Sequence, residues 1–226
     1  MGKTIGGILE ERNHSFLAVD TPEERHNVNR EEIDVAIEFS MPEAAVENIK
    51  WCISHQIPVV SGTTGWLDQM EQIKSYCTQE NGTFFYASNY SIGVNLFFQL
   101  NKKFAAVMDR FEQYDVSMEE IHHTQKLDSP SGTALSLAND IISLNSRKNG
   151  WVENLSEKGK LSITAKREEN VPGTHSITYT SENDSITLEH VAFNRMGFAS
   201  GAVAVAEWIV DKKGNLTMQD FLGTLL

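Results

Sequence analysis

Long apolar runs are missing from this sequence: no stretch of about 18 apolar residues occurs, so no membrane span is expected. No charged-then-apolar leader opens the chain either, and the expected compartment is the cytoplasm. Cysteine is scarce. Cys52 and Cys77 are the two present, each inside a helix-like stretch without a partner at metal-ligand spacing, which reads as two reduced, partly buried thiols. Positive charge is in deficit: 19 Lys and Arg against 31 Asp and Glu give a net charge of -12. That balance argues against nucleic acid or an anionic membrane surface as bulk partners, but not against a small anion held by a few local cations. Internal repeats and low-complexity linkers are absent.

What is there is a globular composition. With 226 residues, 40% of them hydrophobic, the chain can bury one large core or two smaller ones. Residues 3–12 read as a helix with Ile5, Ile8 and Leu9 on one face. Residues 15–20 read as a strand ending in Asp20, and 21–32 as a polar loop. A strand over 34–39 leads into Ser40-Met41-Pro42-Glu43, a capping box with proline in the first turn, so a helix is expected to start there. Its apolar stripe is Ala45, Val46, Ile49, Cys52 and Ile53. A strand at 57–60, a helix over 66–80 and a strand at 83–87 follow. Strands alternating with helices across short connections indicate a doubly wound parallel sheet.

From about Asn89 the rhythm changes. A long helix carries Val94, Phe97, Phe98, Phe104, Ala105, Val107 and Met108; a strand covers 116–121 and a helix 131–145. Residues 161–167, 175–180 and 185–193 alternate polar and apolar like a sheet covered on one face. A helix over 198–210 and a short capped one near 217–220 close the chain. The expected architecture is α/β: a Rossmann-like domain of 1–91 and 203–226, plus an α+β domain of 92–202 with a mixed sheet.

Four features carry chemistry. Met1-Gly2-Lys3 opens a helix, as the end of a glycine-rich turn would, with Asp20 as a ribose-type acid after the next strand; alone this is weak, and Asp20 also reads as a plain loop acid. Ser61-Gly62-Thr63-Thr64-Gly65 follows a buried strand, where ligands of open α/β sheets lie; an ordinary strand–helix turn reads equally well. The same holds for Ala87-Ser88-Asn89-Tyr90-Ser91. The sharpest is the block from Glu120 to Thr133. His122 and His123 end a strand, Lys126 lies three residues beyond, and Ser131-Gly132-Thr133 start a helix. Free amides and a hydroxyl at a helix start bind a carboxylate, a lysine adds full positive charge, and a histidine donates a proton near neutral pH. The block therefore reads as a site that binds and protonates a small anion. No metal is expected, because neighbouring histidines on a strand point to opposite faces and no third ligand has suitable spacing. His175 reads as a surface histidine beside a turn, with pocket lining as the alternative, and Arg195 as either an anion contact or a structural ion pair.

The block Glu120-Ile121-His122-His123-Thr124-Gln125-Lys126-Leu127-Asp128-Ser129-Pro130-Ser131-Gly132-Thr133 resembles the signature of the 4-hydroxy-tetrahydrodipicolinate (dihydrodipicolinate) reductase family. So do residues 34–44, Gly62-Thr63-Thr64-Gly65, residues 87–95, Val171-Pro172-Gly173-Thr174 and residues 195–202, in the family's order. The resemblance implies a step of lysine and diaminopimelate biosynthesis with NADPH or NADH as reductant, a dicarboxylate substrate, and a homotetramer whose two domains close over the ligands. It implies His122 as general acid, assisted by Lys126, which also binds substrate. His123, Gly132 and Thr133 would hold a substrate carboxylate. Gly62, Thr63 and Thr64, with Ala87, Ser88, Asn89 and Tyr90, would line the nicotinamide side, and Met1, Gly2 and Asp20 are the remaining cofactor candidates.

The family's first strand and most of its glycine loop have no counterpart here. The expectation is that the sequence begins late, at an internal methionine or at the first ordered residue. The stretch after Asp20 is short, so NAD cannot be told from NADP there. Two alternatives stand beside the reductase: another nicotinamide-dependent dehydrogenase of amino-acid biosynthesis, which should show a nucleophilic cysteine or a different lysine pair, and a truncated relative that binds dicarboxylate but not cofactor.

Overall fold

The computed structural model describes residues 1–194 and 196–223. These fold into two compact units, one formed by Met1–Ile92 with the chain from Met196 on, the other by the chain from Gly93 to Asn194. The expected cut at 202/203 falls inside a helix that runs unbroken from Met196 to Ile209 and enters the first unit whole. A hydrogen-bonded rod packs as one body, so the division comes ahead of it.

The first unit is a four-stranded parallel sheet in the order β1 (Ala36–Glu38), β2 (Val59–Ser61), β3 (Thr83–Tyr86) and β9 (Gly214–Leu216). Alternate strand residues face opposite sides. Val59 and Phe84, paired in register, join Ala45, Ile49 and Ile53 of α3 (Pro42–Ser54) and Ile73 and Cys77 of α4 (Met70–Gln79) in one core. Phe85, on the other side, meets the Trp208 ring of α7 (Met196–Ile209) edge-on, with centroids 6.2 Å apart. α1 (Gly2–Glu11) buries Ile5 and Ile8 and packs on α7. Both cysteines are buried and free, and burial pushes the Cys52 thiol up to about 12.

Three local readings are corrected. Residues 15–20 form no strand: Phe16, Leu17 and Val19 are exposed, and among the described residues no strand pairs with the segment, which a strand requires. Residues 21–32 are not simply loop. Thr21 caps a short helix, α2 (Pro22–His26), its Oγ1 accepting from Glu24 N at 3.2 Å while Glu24 Oε2 accepts from Thr21 N at 3.2 Å. The box expected at Ser40 does not form. α3 does start with Pro42, but its cap is Met41, which makes no side-chain bond, while the Ser40 hydroxyl donates to Glu38 and accepts from Asn48 Nδ2 at 3.3 Å.

The second unit is a mixed sheet in the order β5 (Trp151–Glu153), β6 (Leu161–Arg167), β4 (Asp115–His122), β7 (Gly173–Thr180) and β8 (Ser185–Ala192). β4 runs parallel to β6 and antiparallel to β7. One face is covered by α5 (Ile92–Met108) and α6 (Gly132–Leu144). Phe97 and Ala105 of α5 and Leu137, Ala138 and Ile141 of α6 close over Val116, Met118, Leu161, Ile163, Ile177 and Tyr179. Leu137 is fully buried there. Leu137→Ala is expected to cost about 2–5 kcal/mol in stability, read as a lower midpoint in denaturant unfolding; an unchanged midpoint would contradict this core.

Candidate functional site

The inward rows of β4 and β7 are apolar toward one end of the sheet and polar toward the other. On β4 the row is Val116, Met118, Glu120, His122; on β7 it is Tyr179, Ile177, His175, Gly173. The antiparallel register sets Glu120 directly opposite His175. Period-two alternation then puts His122 on the same face as Glu120, and these three side chains are all buried. His175 is thus no surface histidine: it is 4% exposed. Gly173 has no side chain because a Cβ there would lie 2.9 Å from His122 Cε1.

His122 Nδ1 lies 3.3 Å from the Pro172 carbonyl, which can only accept, so Nδ1 carries the proton. Its Nε2 faces His175 Nε2 at 3.3 Å and Glu120 Oε2 at 3.6 Å. His175 Nε2 is also 3.1 Å from Ser131 Oγ. Both Glu120 oxygens accept from Ser131 N at 3.1 Å, and Oε1 accepts from Arg167 Nη1 at 3.3 Å. Arg167 continues to the Asp128 carbonyl at 2.7 Å, tying the loop after β4 to the sheet. Ser131 caps α6, its Oγ accepting from Ala134 N at 3.1 Å.

Burial lowers the His122 pKa, with Lys126 and Arg167 pushing the same way against the opposing pull of Glu120. His175 is lowered to about 3, first by burial and then by His122, His190 and Lys126. The linkage has a definite sign. The unfolded imidazole binds its proton below about 6.5, while the folded one does so only near 3. The stability this represents is therefore complete above pH 6.5 and lost as pH falls from 6.5 toward 3. The melting temperature is expected to fall across that window, and less steeply in His175→Gln; parallel curves for the two proteins would refute it.

His123 and Thr133 are half-buried, and Gly132 is exposed at the first turn of α6. Lys126 donates to Asp128 Oδ1 at 2.7 Å and Oδ2 at 2.8 Å. That contact, together with the backbone of Asp128 and Gly132, holds the Asp128 carboxyl below its usual range. A carboxylate already occupies the lysine and helix start that the sequence marked as an anion cradle.

The first unit has its own site at the carboxyl ends of its strands. A cavity of 330 Å³ is lined by Met1, Phe39, Ser40, Pro42, Gly62, Thr63 and Thr64. A Cβ at Gly62 would come within 2.2 Å of the Phe39 ring, so a side chain there would have to displace that ring. Beneath it, buried Glu38 accepts from Ser61 Oγ at 2.6 Å and Thr63 Oγ1 at 2.8 Å. Ser40 N donates to Thr63 Oγ1 at 2.8 Å, so the loops after β1 and β2 are sewn together. Among the expected cofactor residues, Met1, Gly62, Thr63 and Thr64 converge on this cavity. Gly2 is in the first turn of α1 and Ser88 is exposed. Ala87 is buried, and buried Tyr90 donates its hydroxyl to the Ser61 carbonyl at 2.6 Å, an internal brace. Asn89 is half-buried, its Oδ1 accepting from Ser91 N at 2.9 Å. Asp20 is exposed and lies before α2, not after a strand. Arg195 falls outside the described residues.

Two family profiles cover nearly the whole chain: "Dihydrodipicolinate reductase, N-terminus" matches residues 1–90, and "Dihydrodipicolinate reductase, C-terminus" matches residues 93–222. The chain belongs to the dihydrodipicolinate reductase family. It is 52% identical over 226 residues to the 4-hydroxy-tetrahydrodipicolinate reductase of Christiangramia forsetii, covering 100% of this chain and 95% of that one. It is 30% identical to the enzyme of that name from Buchnera aphidicola, covering 98% and 94%. A solved structure of dipicolinate-bound dihydrodipicolinate reductase from Paenisporosarcina sp. TG-14 superposes with a TM-score of 0.69 at 26% identity, covering 84% of this chain and 73% of that one. As a dihydrodipicolinate reductase family member the chain is an oxidoreductase of a nicotinamide-dependent class. Sequence reasoning about this reductase passed over Glu38 and Arg167, which touch the candidate site residues only through tertiary contacts. It also placed His175 on the surface, although the inward period of β7 was a usable signal.

Proposed function

We propose that this chain reduces 4-hydroxy-tetrahydrodipicolinate to tetrahydrodipicolinate with NADPH or NADH, the 4-hydroxyl leaving as water, a step of lysine and diaminopimelate biosynthesis. What supports this reading most is the meeting of His122, Lys126 and the first turn of α6 at one end of a sheet, in a chain matched along its length by this family. The nicotinamide supplies hydride when bound. The cavity beside Gly62, Thr63 and Thr64, at strand ends and walled by hydroxyls, fits part of a dinucleotide. Those three residues, with Ala87, Ser88, Asn89 and Tyr90 behind or beside them, would hold its nicotinamide side; Met1 and Gly2 would stand at the helix start, and Asp20 remains the ribose candidate.

On the substrate side, Lys126 exchanges the Asp128 carboxylate for a substrate carboxylate, and the Gly132 and Thr133 amides with His123 complete the cradle. His122 then supplies the proton that matches the hydride. Its lowered pKa makes it a strong acid once charged, and the negative charge of the arriving substrate favours that charged form. The first unit thus takes the cofactor; the second takes substrate and makes subunit contacts. Its edge strand β8 leaves Ile186 and Val191 exposed, one on each face of the sheet, apolar surface that supports a homotetramer. Among the described residues no helix is long and apolar enough to cross a membrane, and we assign the enzyme to the cytoplasm.

The decisive experiment mixes the purified protein with the condensation product of pyruvate and aspartate semialdehyde plus NADPH or NADH. Nicotinamide absorbance should fall in proportion to enzyme. A folded protein that binds dipicolinate yet turns over neither cofactor would replace this reading with a dicarboxylate-binding relative. Light scattering on the same sample tests the tetramer, and a monomer mass would reject it.

A further inference from the structure

Glu120 Oε2, His122 Nε2 and His175 Nε2 form a triangle with edges of 3.3, 3.6 and 3.7 Å. A point equidistant from such corners lies roughly 2 Å from each, the bond length of zinc to imidazole nitrogen or carboxylate oxygen. The three donors come from buried residues on one sheet face, and among the described residues they are the group with metal-binding geometry. We infer that Glu120, His122 and His175 form a three-ligand site for a borderline divalent transition-metal ion of the zinc class, and that its occupancy withdraws His122 from proton donation. The second half of that inference rests on the reductase reading; the site itself does not.

The surroundings are those of a metal site rather than of a mere histidine contact. Metal-bound imidazoles are oriented by a hydrogen bond from their other nitrogen. His122 has one, from Nδ1–H to the Pro172 carbonyl, so its Nε2 lone pair points into the triangle. Ligating carboxylates are likewise held by neighbours, and Glu120 is held by Ser131 N and Arg167 Nη1. Arg167 approaches Oε1, leaving Oε2 as the corner oxygen, and Lys126 is neutralised by Asp128. Each cation is thus paired with a carboxylate. Three protein ligands leave a coordination position open, which suits reversible binding of an exchangeable ion. The sequence argument against a metal fails here because it sought ligands along one strand. The third ligand is supplied across the ladder, by the Glu120–His175 register.

The test is a titration of the full chain, freed of metal with a chelator, with Co(II) followed by its visible absorption and with Zn(II) followed by calorimetry. One equivalent should bind with the intense visible bands of a low-coordinate Co(II) ion. His175→Gln and His122→Gln should each weaken binding at least tenfold, whereas the double variant His14→Gln/His55→Gln, which removes exposed imidazoles, should bind like wild type. Circular dichroism checks that each variant is folded, and two independent ligand variants keep the test decisive if one is not. Absence of saturable one-equivalent binding, or unchanged affinity in a folded ligand variant, overturns the site. In turnover assays Zn(II) should inhibit at the concentration that fills the site, and chelator should restore the rate. Full activity with the site filled overturns the inhibition. No turnover even without zinc defeats the reductase reading, while the cobalt titration still decides the site.

Discussion

His122→Ala is expected to slow nicotinamide oxidation by about 10²–10⁴-fold, the usual contribution of a positioned general acid. The fall should appear in kcat, with substrate KM changed much less, because Lys126 and the α6 start would still hold the carboxylates. Hydride addition to an unsaturated ring leaves negative charge that a proton must quench, and His122 is the imidazole at this end of the sheet whose hydrogen-bonding edge has a defined proton position. Truncation to alanine also opens space beside Gly173, which approaches the ring closely. His122→Gln serves as the control that fills this space without restoring an acid. Equal activity of wild type and both variants would remove His122 from the chemistry.

Glu120→Ala is expected to lower stability by about 3–5 kcal/mol, the range found when one member of a buried ionic network is removed. Glu120 is 1% exposed, and its loss orphans the Ser131 amide and leaves Arg167 without its inward partner. For a chain of this size that corresponds to a fall in melting temperature on the order of 10 °C. Glu120→Gln keeps one acceptor oxygen for Ser131 or Arg167 and should lose less. The mechanism predicts this order, alanine worse than glutamine, in thermal unfolding followed by circular dichroism. A melting temperature for Glu120→Ala within a degree or two of wild type would show that the network does not hold the unit together.

Much of the fold was legible because it is written in local chemistry. The apolar stripe of Ala45, Ile49, Cys52 and Ile53 specifies α3 whatever surrounds it, and the alternation along 161–167 and 175–180 specifies half-covered strands. Three-residue strands such as β5 and β9 carry no period and exist only through their neighbours: Gly-Asn-Leu at 214–216 is a strand because β3 pairs with it. The segment 15–20 is the converse case. Its apolar residues suit a strand, but without a pairing edge they stay exposed and irregular. At Ser40 the hydroxyl donates to the buried carboxylate of Glu38 and accepts from the Asn48 side-chain amide at 3.3 Å, and the helix is capped one residue later, at Met41.

For the block from Glu120 to Thr133, sequence alone determined a strand ending in histidines, a lysine beyond it and a capped helix start, and these lie where that reading put them. It also determined the family, since the motifs run in one order along nearly the whole chain. Tertiary structure decided which groups surround His122. Glu120 is near in sequence, but His175 arrives 53 residues later through strand register, and Arg167 arrives from the parallel neighbour β6. Spacing along a chain can show that two side chains share a face of one strand. Which strand lies alongside, and in what register, is set by how the whole inward row buries its apolar part, and that is a property of the packed sheet.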